Sequence, residues 1–402
     1  MLYNALPVNG FQYASIHAGF KKKKKDLALI YCPKGATTAA TFTTNKTKAA
    51  PVVLSTKHMA SESIKAVIIN SGNANACTGL KGYQDALKTC EMTAELLNIN
   101  PEEVLVSSTG VIGVPLPMPV MEKGIPNLVS CLNEGTLEDV AEGIMTTDTA
   151  KKTFTNHILL SESGKTARLS GIAKGSGMIH PNMATMLGFV MTDVAIESQL
   201  LKKLTKEIVD HTFNMVTVDG DTSTNDMFVV MASGALGNTP LTEASPDLPE
   251  FKAALLEIAK ALSISIAKDG EGATKLLQVK LTGAKTEKDA KSLAKSVVGS
   301  SLVKAAFYGM DANWGRIICA LGYADAHFNP EDLSLTLKSS AGEITLMVNG
   351  VGIPFDENHA LKVLSPDVID ICIALKDGDF EAEAWGCDLT YDYVKINGAY
   401  RT

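Results

Sequence analysis

The chain has 402 residues, of which 46% are hydrophobic and 20% are charged, and its formal net charge is −7. One hydrophobic core stops growing at about 250–300 residues, so this length predicts two domains. The composition is typical of a globular protein, and no apolar stretch reaches the roughly 18 residues of a membrane span. The negative net charge disfavours a general nucleic-acid binder.

The cysteine pattern indicates a reducing compartment. Seven cysteines form no Cys-x-x-Cys pair, which argues against both a disulfide framework and a zinc site. Because the first twenty residues lack the apolar core of a signal peptide, we expect a cytoplasmic protein without a bound metal. Residues 21–25 are five consecutive lysines, which we interpret as a solvated loop, with contact to an anionic surface as the alternative.

Short apolar runs alternate with segments of helical spacing along the chain. Strands are predicted at residues 64–70, 104–107, 186–196 and 227–232, and helices at 83–97, 199–213 and around 255–262. After residue 285 the alternation restarts, with a helix at 290–297 and strands at 333–337, 344–348 and 368–375. The pattern predicts an α/β protein with a larger domain at 1–284 and a smaller α/β domain at 285–402.

The most informative segment is KGSGMIHPNMATML, at residues 174–187. Its two glycines permit unusual backbone angles, and Pro181 disfavours a helical conformation at His180. Thr185 is therefore predicted at the start of a buried strand, directly after a tight turn. A threonine at a chain N-terminus can attack a carbonyl with its own α-amine as the base. The residues alone allow such self-cleavage, but an ordinary turn or a phosphate-binding loop also fits them.

The same segment resembles the self-cleavage motif of the glutamate N-acetyltransferase (ornithine acetyltransferase) family. Seven further segments resemble the family in the same order along most of the chain: INSGNANA (69–76), SSTGVIG (107–113), MTTDT (145–149), VDGDTSTND (218–226), KDGEGATK (268–275), GMDANWGR (309–316) and NGAYRT (397–402). Two features depart from the family pattern, namely Ala312 at a position where proline is expected and the lysine run.

The resemblance implies a fold and a processing event. The fold is a two-domain, N-terminal-nucleophile-like layered α/β sandwich with a smaller C-terminal α/β domain. The precursor is expected to cut itself between Ala184 and Thr185, which gives chains 1–184 and 185–402. Two such pairs are expected to form a heterotetramer.

The resemblance also implies an activity in arginine biosynthesis. The enzyme is expected to move the acetyl group of N2-acetylornithine to glutamate by a ping-pong mechanism, through an acetyl ester on Thr185, giving N-acetylglutamate. No cofactor is implied, and acetyl-CoA stays open as a second acetyl donor. A self-processed amidohydrolase or aminopeptidase, and a non-enzymatic anion-binding protein, are the alternative functions.

Individual roles follow from the resemblance. Thr185 is the expected nucleophile, and Thr109 with Gly110 is the expected oxyanion hole. The expected substrate-binding residues are Thr147, Thr149, Lys174, Thr185, Glu271, Asn397 and Thr402. The sequence does not distinguish Thr147 from Thr149, and it leaves a role of His180 in cleavage open. We interpret four polar residues of the family motifs as structural: Asn70, Asp219, Asp221 and Asp226.

Overall fold

A computed structural model describes residues 4–61, 63–180 and 186–399. Within these ranges the strands are β1 (Gln12–Ile16), β2 (Leu27–Phe42), β3 (Ile64–Asn73), β4 (Val104–Val111), β5 (Lys152–Leu160), β6 (Lys165–Lys174), β7 (Leu187–Thr192), β8 (Val216–Thr217), β9 (Met227–Ala232), β10 (Leu276–Ala284), β11 (Ser334–Ser339), β12 (Gly342–Val348), β13 (Val351–Gly352), β14 (Val368–Ala374) and β15 (Phe380–Cys387).

The helices in the same ranges are α1 (Ala50–His58), α2 (Gly79–Leu97), α3 (Met118–Ser130), α4 (Leu137–Ile144), α5 (Ser198–His211), α6 (Leu248–Lys268), α7 (Glu287–Gly299), α8 (Ser301–Tyr308), α9 (Trp314–Gly322), α10 (Glu357–Leu364) and α11 (Tyr391–Ala399). None of the helices in the described part of the chain has the length and hydropathy needed to cross a membrane.

The first sheet has the order β4-β3-β2-β9-β7-β6-β5, and β1 pairs with β2. The long strand β2 joins the two halves of this sheet, because residues 27–36 pair with β3 and residues 37–42 pair with β9. The pairs β3–β4 and β7–β9 are parallel. Parallel neighbours align their carboxyl ends, so the ends of β3 and β4 lie together at one edge.

The second sheet has the order β13-β12-β11-β14-β10-β15-β8. Helix α6 packs against β5 and β6 of the first sheet and against β15 of the second. Its apolar stripe of Phe251, Leu255, Ile258 and Leu262 is fully buried, as amphipathic spacing predicts. A Cβ atom on Gly171 of β6 would lie 2.6 Å from the Ile258 side chain, so the strand can approach the helix this closely only with glycine.

The predicted α/β class is confirmed, and several elements lie where the sequence places them. The predicted strand at 227–232 is β9, and the predicted helix at 83–97 lies within α2. Strands β8 and β10 precede residue 285 in the chain and belong to the second sheet. Whether residues 1–284 and 285–402 are separate domains stays a prediction.

Candidate active site

A cavity of about 140 Å³ opens where the two halves of the first sheet meet the loop after α6 and helix α11. Six of the residues that the sequence assigns to the active site line it: Thr109, Gly110, Thr147, Lys174, Glu271 and Asn397. These residues are up to 288 positions apart in the chain. The fold therefore brings most of the predicted site to one place.

The cleavage junction adjoins this cavity along the chain. Met186 and Leu187, the first described residues after it, line the cavity wall. Ala184 and Thr185 lie outside the described residues, and so does Thr402. The roles assigned to these three residues therefore stay predictions.

The candidate oxyanion residues lie on strand β4, which extends beyond the predicted strand at 104–107. Strand β4 continues through Thr109 and Gly110 because it pairs with β3 as far as Asn73. Gly110 has a φ of +134°, and a Cβ atom on it would lie 2.3 Å from the carbonyl carbon of Gly72. Only glycine fits this approach, so the Gly110 backbone reaches the cavity wall directly.

Lys174, at the end of β6, brings a buried cation to the same wall. Its Nζ donates a hydrogen bond to Oγ1 of Thr109 at 3.3 Å. Burial lowers its pKa, whereas the charges of Asp148, Asp226 and Glu271 act in the opposite direction. The lysine is therefore a poorly hydrated cation beside the candidate oxyanion residue, which suits a carboxylate ligand.

A buried ion cluster, Lys152 with Asp148 and Asp269, lies behind Lys174. The Lys152 side chain is 1% exposed, and its Nζ lies 2.7 Å from Oδ1 of Asp148 and 2.6 Å from Oδ2 of Asp269. Asp148 Oδ1 also accepts the backbone N–H of Gly175 at 2.7 Å. Burial opposes ionisation of Asp148, but Lys174 and Lys152 hold its pKa well below its usual range.

Contacts with this cluster distinguish the two candidate substrate-binding threonines, Thr147 and Thr149. The N–H and hydroxyl of Thr149 both donate to the Asp269 carboxylate, the former at 3.1 Å, and Thr149 does not line the cavity. Thr147 does line it. The geometry therefore favours Thr147 as the substrate contact, whereas Thr149 hydrogen-bonds to the ion cluster. The substrate-binding roles of both threonines stay predictions.

Glu271 and Asn397 meet across the cavity. Asn397 Nδ2 donates to Glu271 Oε2 at 2.8 Å. A Cβ atom on Gly177 would lie 2.4 Å from the Glu271 carboxyl group, so the second glycine of the KGSG segment leaves room for this side chain. The chain before residue 400 is not frayed, because α11 includes Asn397 and Tyr393 donates to Asp219 at 3.2 Å.

His180 belongs to a different cavity, which it lines with Asp210 and Lys295. Its Nδ1 lies 3.0 Å from the Thr217 hydroxyl. Burial, helped by Lys295, lowers the pKa of His180 to about 4, so the ring is neutral at neutral pH. His180 is therefore not among the residues that line the candidate active site.

The lysine run is only partly a solvated loop. Lys21 Nζ donates to the carbonyl oxygen of Met145 at 2.6 Å, next to Thr146 in the cavity wall. Burial lowers the pKa of Lys21 to about 8, and Lys174 is among the charges that add to this shift. Lys25 pairs with Asp139 at 2.5 Å. Residues 22–24 between them are exposed.

The VDGDTSTND segment contributes to the cavity wall, which we did not predict from its residue pattern. Four of its residues, Ser223, Thr224, Asn225 and Asp226, line the cavity. Asn225 Nδ2 donates to the carbonyl oxygens of Ala74 and Ser108, at 2.6 and 2.9 Å. The signal in the sequence was the density of hydroxyl, amide and carboxyl groups directly before a buried strand. Among the described residues, no group of three or more His, Cys, Asp or Glu side chains could hold a metal ion.

The family to which the chain belongs is shown by comparison with known proteins. A family model described as "ArgJ family" matches residues 12–402. The chain belongs to the ArgJ family. It is 50% identical over 400 residues to an arginine biosynthesis bifunctional protein ArgJ of Clostridium acetobutylicum, covering 99% of this chain and 98% of that protein. An ArgJ of Caldanaerobacter subterraneus is also 50% identical, over 98% of this chain and 97% of its own length.

A solved structure agrees with this assignment. The crystal structure of an arginine biosynthesis bifunctional protein ArgJ from Bacillus halodurans matches with a TM-score of 0.51 and 46% identity. The match covers 53% of the present chain and 98% of that one. The resemblance seen in the sequence motifs is thus confirmed, as are the acyltransferase class and the assignment to arginine biosynthesis. The roles of individual residues stay predictions.

The ion cluster generates a prediction on stability. Lys152→Met should lower the free energy of unfolding at pH 7 by about 3–5 kcal/mol, because it leaves two carboxylates buried without their cation. Lys151→Met is the control, since Lys151 pairs with Glu138 at 2.6 Å at the surface, where such a pair contributes below about 1 kcal/mol. Urea unfolding of the three proteins measures both effects.

The loss of stability in Lys152→Met should be largest at neutral pH and smaller in acid. The folded state holds the pKa of Asp148 low, so its contribution is complete above the unfolded pKa of about 3.9 and is lost as the pH falls. The difference in free energy of unfolding between the wild type and Lys152→Met should therefore become smaller as the pH falls from neutral towards about pH 4 and below. If Lys152→Met lost as little free energy of unfolding at pH 7 as Lys151→Met, this result would contradict the proposed importance of the cluster.

Proposed function

We propose that this ArgJ chain cuts itself between Ala184 and Thr185 and then uses Thr185 to carry an acetyl group from N2-acetylornithine to glutamate. One observation supports this proposal most directly. The candidate oxyanion residues, a candidate cationic side chain and a candidate anionic side chain all line the same cavity. Thr109 and Lys174 lie on its wall 3.3 Å apart, and Glu271 lies on it together with Asn397.

The charges of the cavity suit an amino-acid substrate. In our proposal the Lys174 ammonium binds the α-carboxylate, and the Glu271 carboxylate binds the side-chain ammonium of ornithine. Both are charge-assisted hydrogen bonds, which are roughly twice as strong as neutral ones. A cavity of about 140 Å³ with these two charges favours a small zwitterion over a large apolar ligand.

The contact between Lys174 and Thr109 prepares the oxyanion hole. Lys174 donates to Thr109 Oγ1, so the hydroxyl hydrogen of Thr109 stays available for another acceptor. We propose that this hydrogen and the Gly110 N–H stabilise the oxygen that becomes negative when Thr185 attacks the acetyl carbonyl group. One such donor typically contributes about 2.7–4 kcal/mol.

The acetyl transfer then proceeds in two half-reactions. Thr185 Oγ bonds to the acetyl carbon, the bond to ornithine breaks, and the proton of the hydroxyl reaches the departing amine by way of the Thr185 α-amine. The amine of glutamate next attacks the acetyl carbon, the bond from that carbon to Thr185 Oγ breaks, and the proton that the amine loses returns to Oγ by way of the Thr185 α-amine. The proposal also includes acetyl-CoA as a second acetyl donor, a heterotetramer of two cleaved pairs and a cytoplasmic location. All seven cysteines are free, which fits a reducing compartment.

Chain lengths support the cut. The match to the Bacillus halodurans chain covers nearly all of that chain but only 53% of the present one, about 213 residues. The predicted C-terminal fragment has 218 residues. The Clostridium relative, in contrast, matches over 98% of its whole length. A full-length gene product and a half-length crystallised chain are what a processed precursor would give.

Processing is tested by mass spectrometry of the purified protein. We expect the wild type as fragments of 184 and 218 residues, and Thr185→Ala as one chain of 402 residues, because the attacking hydroxyl is gone. Thr282→Ala, an exposed position on β10, is the control and should be cut normally. Cutting of Thr185→Ala at the same junction would refute self-cleavage by this hydroxyl.

Oxyanion stabilisation is tested with Thr109→Val. We expect N2-acetylornithine to add one acetyl group to the 218-residue fragment, and Thr109→Val to slow this step about 10²- to 10³-fold. Thr153→Val is a matched control, because Thr153 is also 9% exposed and its hydroxyl donates to Glu138 at 2.9 Å, away from the cavity. Equal rates for the two variants would remove Thr109 from the oxyanion hole. Free acetate released in place of N-acetylglutamate would favour the hydrolase alternative.

The tail is tested with Asn397→Ala. Loss of the hydrogen bond to Glu271 leaves a carboxylate without an oriented partner, which typically costs about 1.5–3 kcal/mol. We therefore expect kcat/KM for N2-acetylornithine to fall roughly 10- to 100-fold while cleavage stays normal. Lys395→Ala, exposed on the same helix, should leave both unchanged. Full transferase activity of Asn397→Ala would show that the tail does not organise the substrate site.

A further inference from the structure

Asp226 is the most unusual ionisable group in the cavity wall. It is 2% exposed, and its Oδ2 atom is buried without a hydrogen-bond partner in the described structure. Burial raises its pKa well above the usual value, despite the nearby hydroxyls of Ser223 and Thr43 and the charge of Lys174. A carboxyl group in this position is costly to ionise, and burial therefore favours its neutral acid form.

The position of Asp226 is fixed next to the cleavage junction. The backbone N–H of Met186 lies close enough to the Asp226 carboxyl group to lower the pKa of that group. That nitrogen belongs to the peptide bond that joins Thr185 to Met186. On the other side, the N–H of Met227 donates to the Met186 carbonyl oxygen at 3.0 Å, where the parallel pairing of β7 with β9 begins. The Asp226 carboxyl group therefore neighbours Met186, the residue that directly follows Thr185 in the chain.

A purely structural role does not account for an acid here. The neighbouring Asn225 already joins the ends of β3 and β4 through its amide. An apolar side chain at 226 would fill the same space without an unpaired buried oxygen, which typically costs about 1–3 kcal/mol. Ionisable groups with such shifted pKa values, located in a cleft, are characteristic of proton-transfer sites.

We infer that Asp226 is the proton-transfer residue of self-cleavage, acting between the hydroxyl and the amide nitrogen of Thr185; this inference rests on the proposed cut. One carboxyl oxygen gives its proton to the amide nitrogen while the other takes the proton from the Thr185 hydroxyl. The bond from Oγ to the Ala184 carbonyl carbon forms, the bond from that carbon to nitrogen breaks, and the acid is regenerated. Water then hydrolyses the ester and returns a proton to Oγ.

The same neutral acid would serve the mature enzyme. A carboxylate beside the new α-amine would hold it as the ammonium ion, because an opposite charge raises the pKa of an amine. A neutral carboxyl group has no such effect, so it leaves the amine available as a base.

The test follows cleavage of full-length precursor made by cell-free synthesis. Asp226→Asn should slow cleavage about 10²-fold or more, and Asp226→Glu should recover part of the rate. Asp221→Asn, at an exposed carboxylate of the same loop, is the matched control and should be cut like the wild type. Thermal unfolding of each precursor separates loss of the acid from loss of the fold.

Two further readouts report on the proton transfer itself. Hydroxylamine cuts esters, so it should not release fragments from Asp226→Asn, in which the ester does not accumulate. The wild-type cleavage rate should fall as the pH rises through the raised pKa of Asp226, and the residual rate of Asp226→Asn should lack this fall. Lys174, on β6, is the charged side chain that acts most on this carboxyl group, and Lys174→Met should move the fall to higher pH.

The outcomes distinguish the two proposals. If neither the wild type nor Asp221→Asn is cut, the proposed function itself fails. If the wild type is cut and a stable Asp226→Asn is cut equally fast, or if hydroxylamine cuts Asp226→Asn at this junction, only the role of Asp226 is overturned. Should Asp226→Asn unfold, a wild-type rate that does not fall with rising pH overturns it as well.

Discussion

The candidate active site depends on one buried cation, Lys152, that is shared by two carboxylates. Asp148 belongs to the MTTDT segment and Asp269 to the KDGEG segment, and Asp148 also accepts the N–H of Gly175 in the KGSG segment. Three loops that are far apart in the chain are thereby held within hydrogen-bonding distance. A buried ion pair contributes little net stability compared with apolar packing, but its geometry is specific. Here that specificity positions Thr147, Lys174 and Glu271 on one cavity.

The charges in the cavity are balanced within the protein and not by solvent. Three acids lie near the buried Lys174, namely Asp148, Asp226 and Glu271, and each favours the charged form of the lysine only when it is itself ionised. The three acids differ in their own environments. Despite burial, Lys174 and Lys152 hold the pKa of Asp148 well below its usual range, whereas burial raises the pKa of Asp226 well above it. Separated pKa values of this kind within one site allow one carboxyl group to orient a cation while another transfers protons.

Elements that bury continuous apolar runs could be predicted from the sequence, and the polar ones could not. The run at 227–232 is buried at every residue, and its predicted bounds are those of β9. Strands β5 and β6 were missed because they carry buried polar residues such as Thr155 and Ser170, whose hydroxyls satisfy each other at 2.7 Å. Periodicity reports hydrophobicity, so it does not detect a strand whose inward side chains pair by hydrogen bonds.

The candidate site shows the same division. Family motifs named six of the residues that line the cavity, because each motif carries a recognisable residue type. They did not separate Thr147 from Thr149, since that difference arises from the contact with Asp269, 120 residues away. They also led us to interpret Asp226 as structural, because the absence of a partner for its Oδ2 atom is a property of packing. The burial of a side chain and its hydrogen-bond partners are set by the tertiary structure, so the amino-acid sequence alone does not show them.

The strand order explains how a chain cut before residue 185 could stay assembled. In the first sheet, β9 and β7 follow the junction in sequence but lie between β2 and β6, which precede it. Residues 37–42 of β2 pair with β9, and residues 169–174 of β6 pair with β7. Both fragments would therefore contribute central strands to one sheet, and separating them would expose the buried residues of β7 and β9 together with their backbone hydrogen bonds. The same interleaving places the first residues of β7 beside Lys174 and Asp226, so the arrangement that would hold the two fragments together also builds the candidate active site.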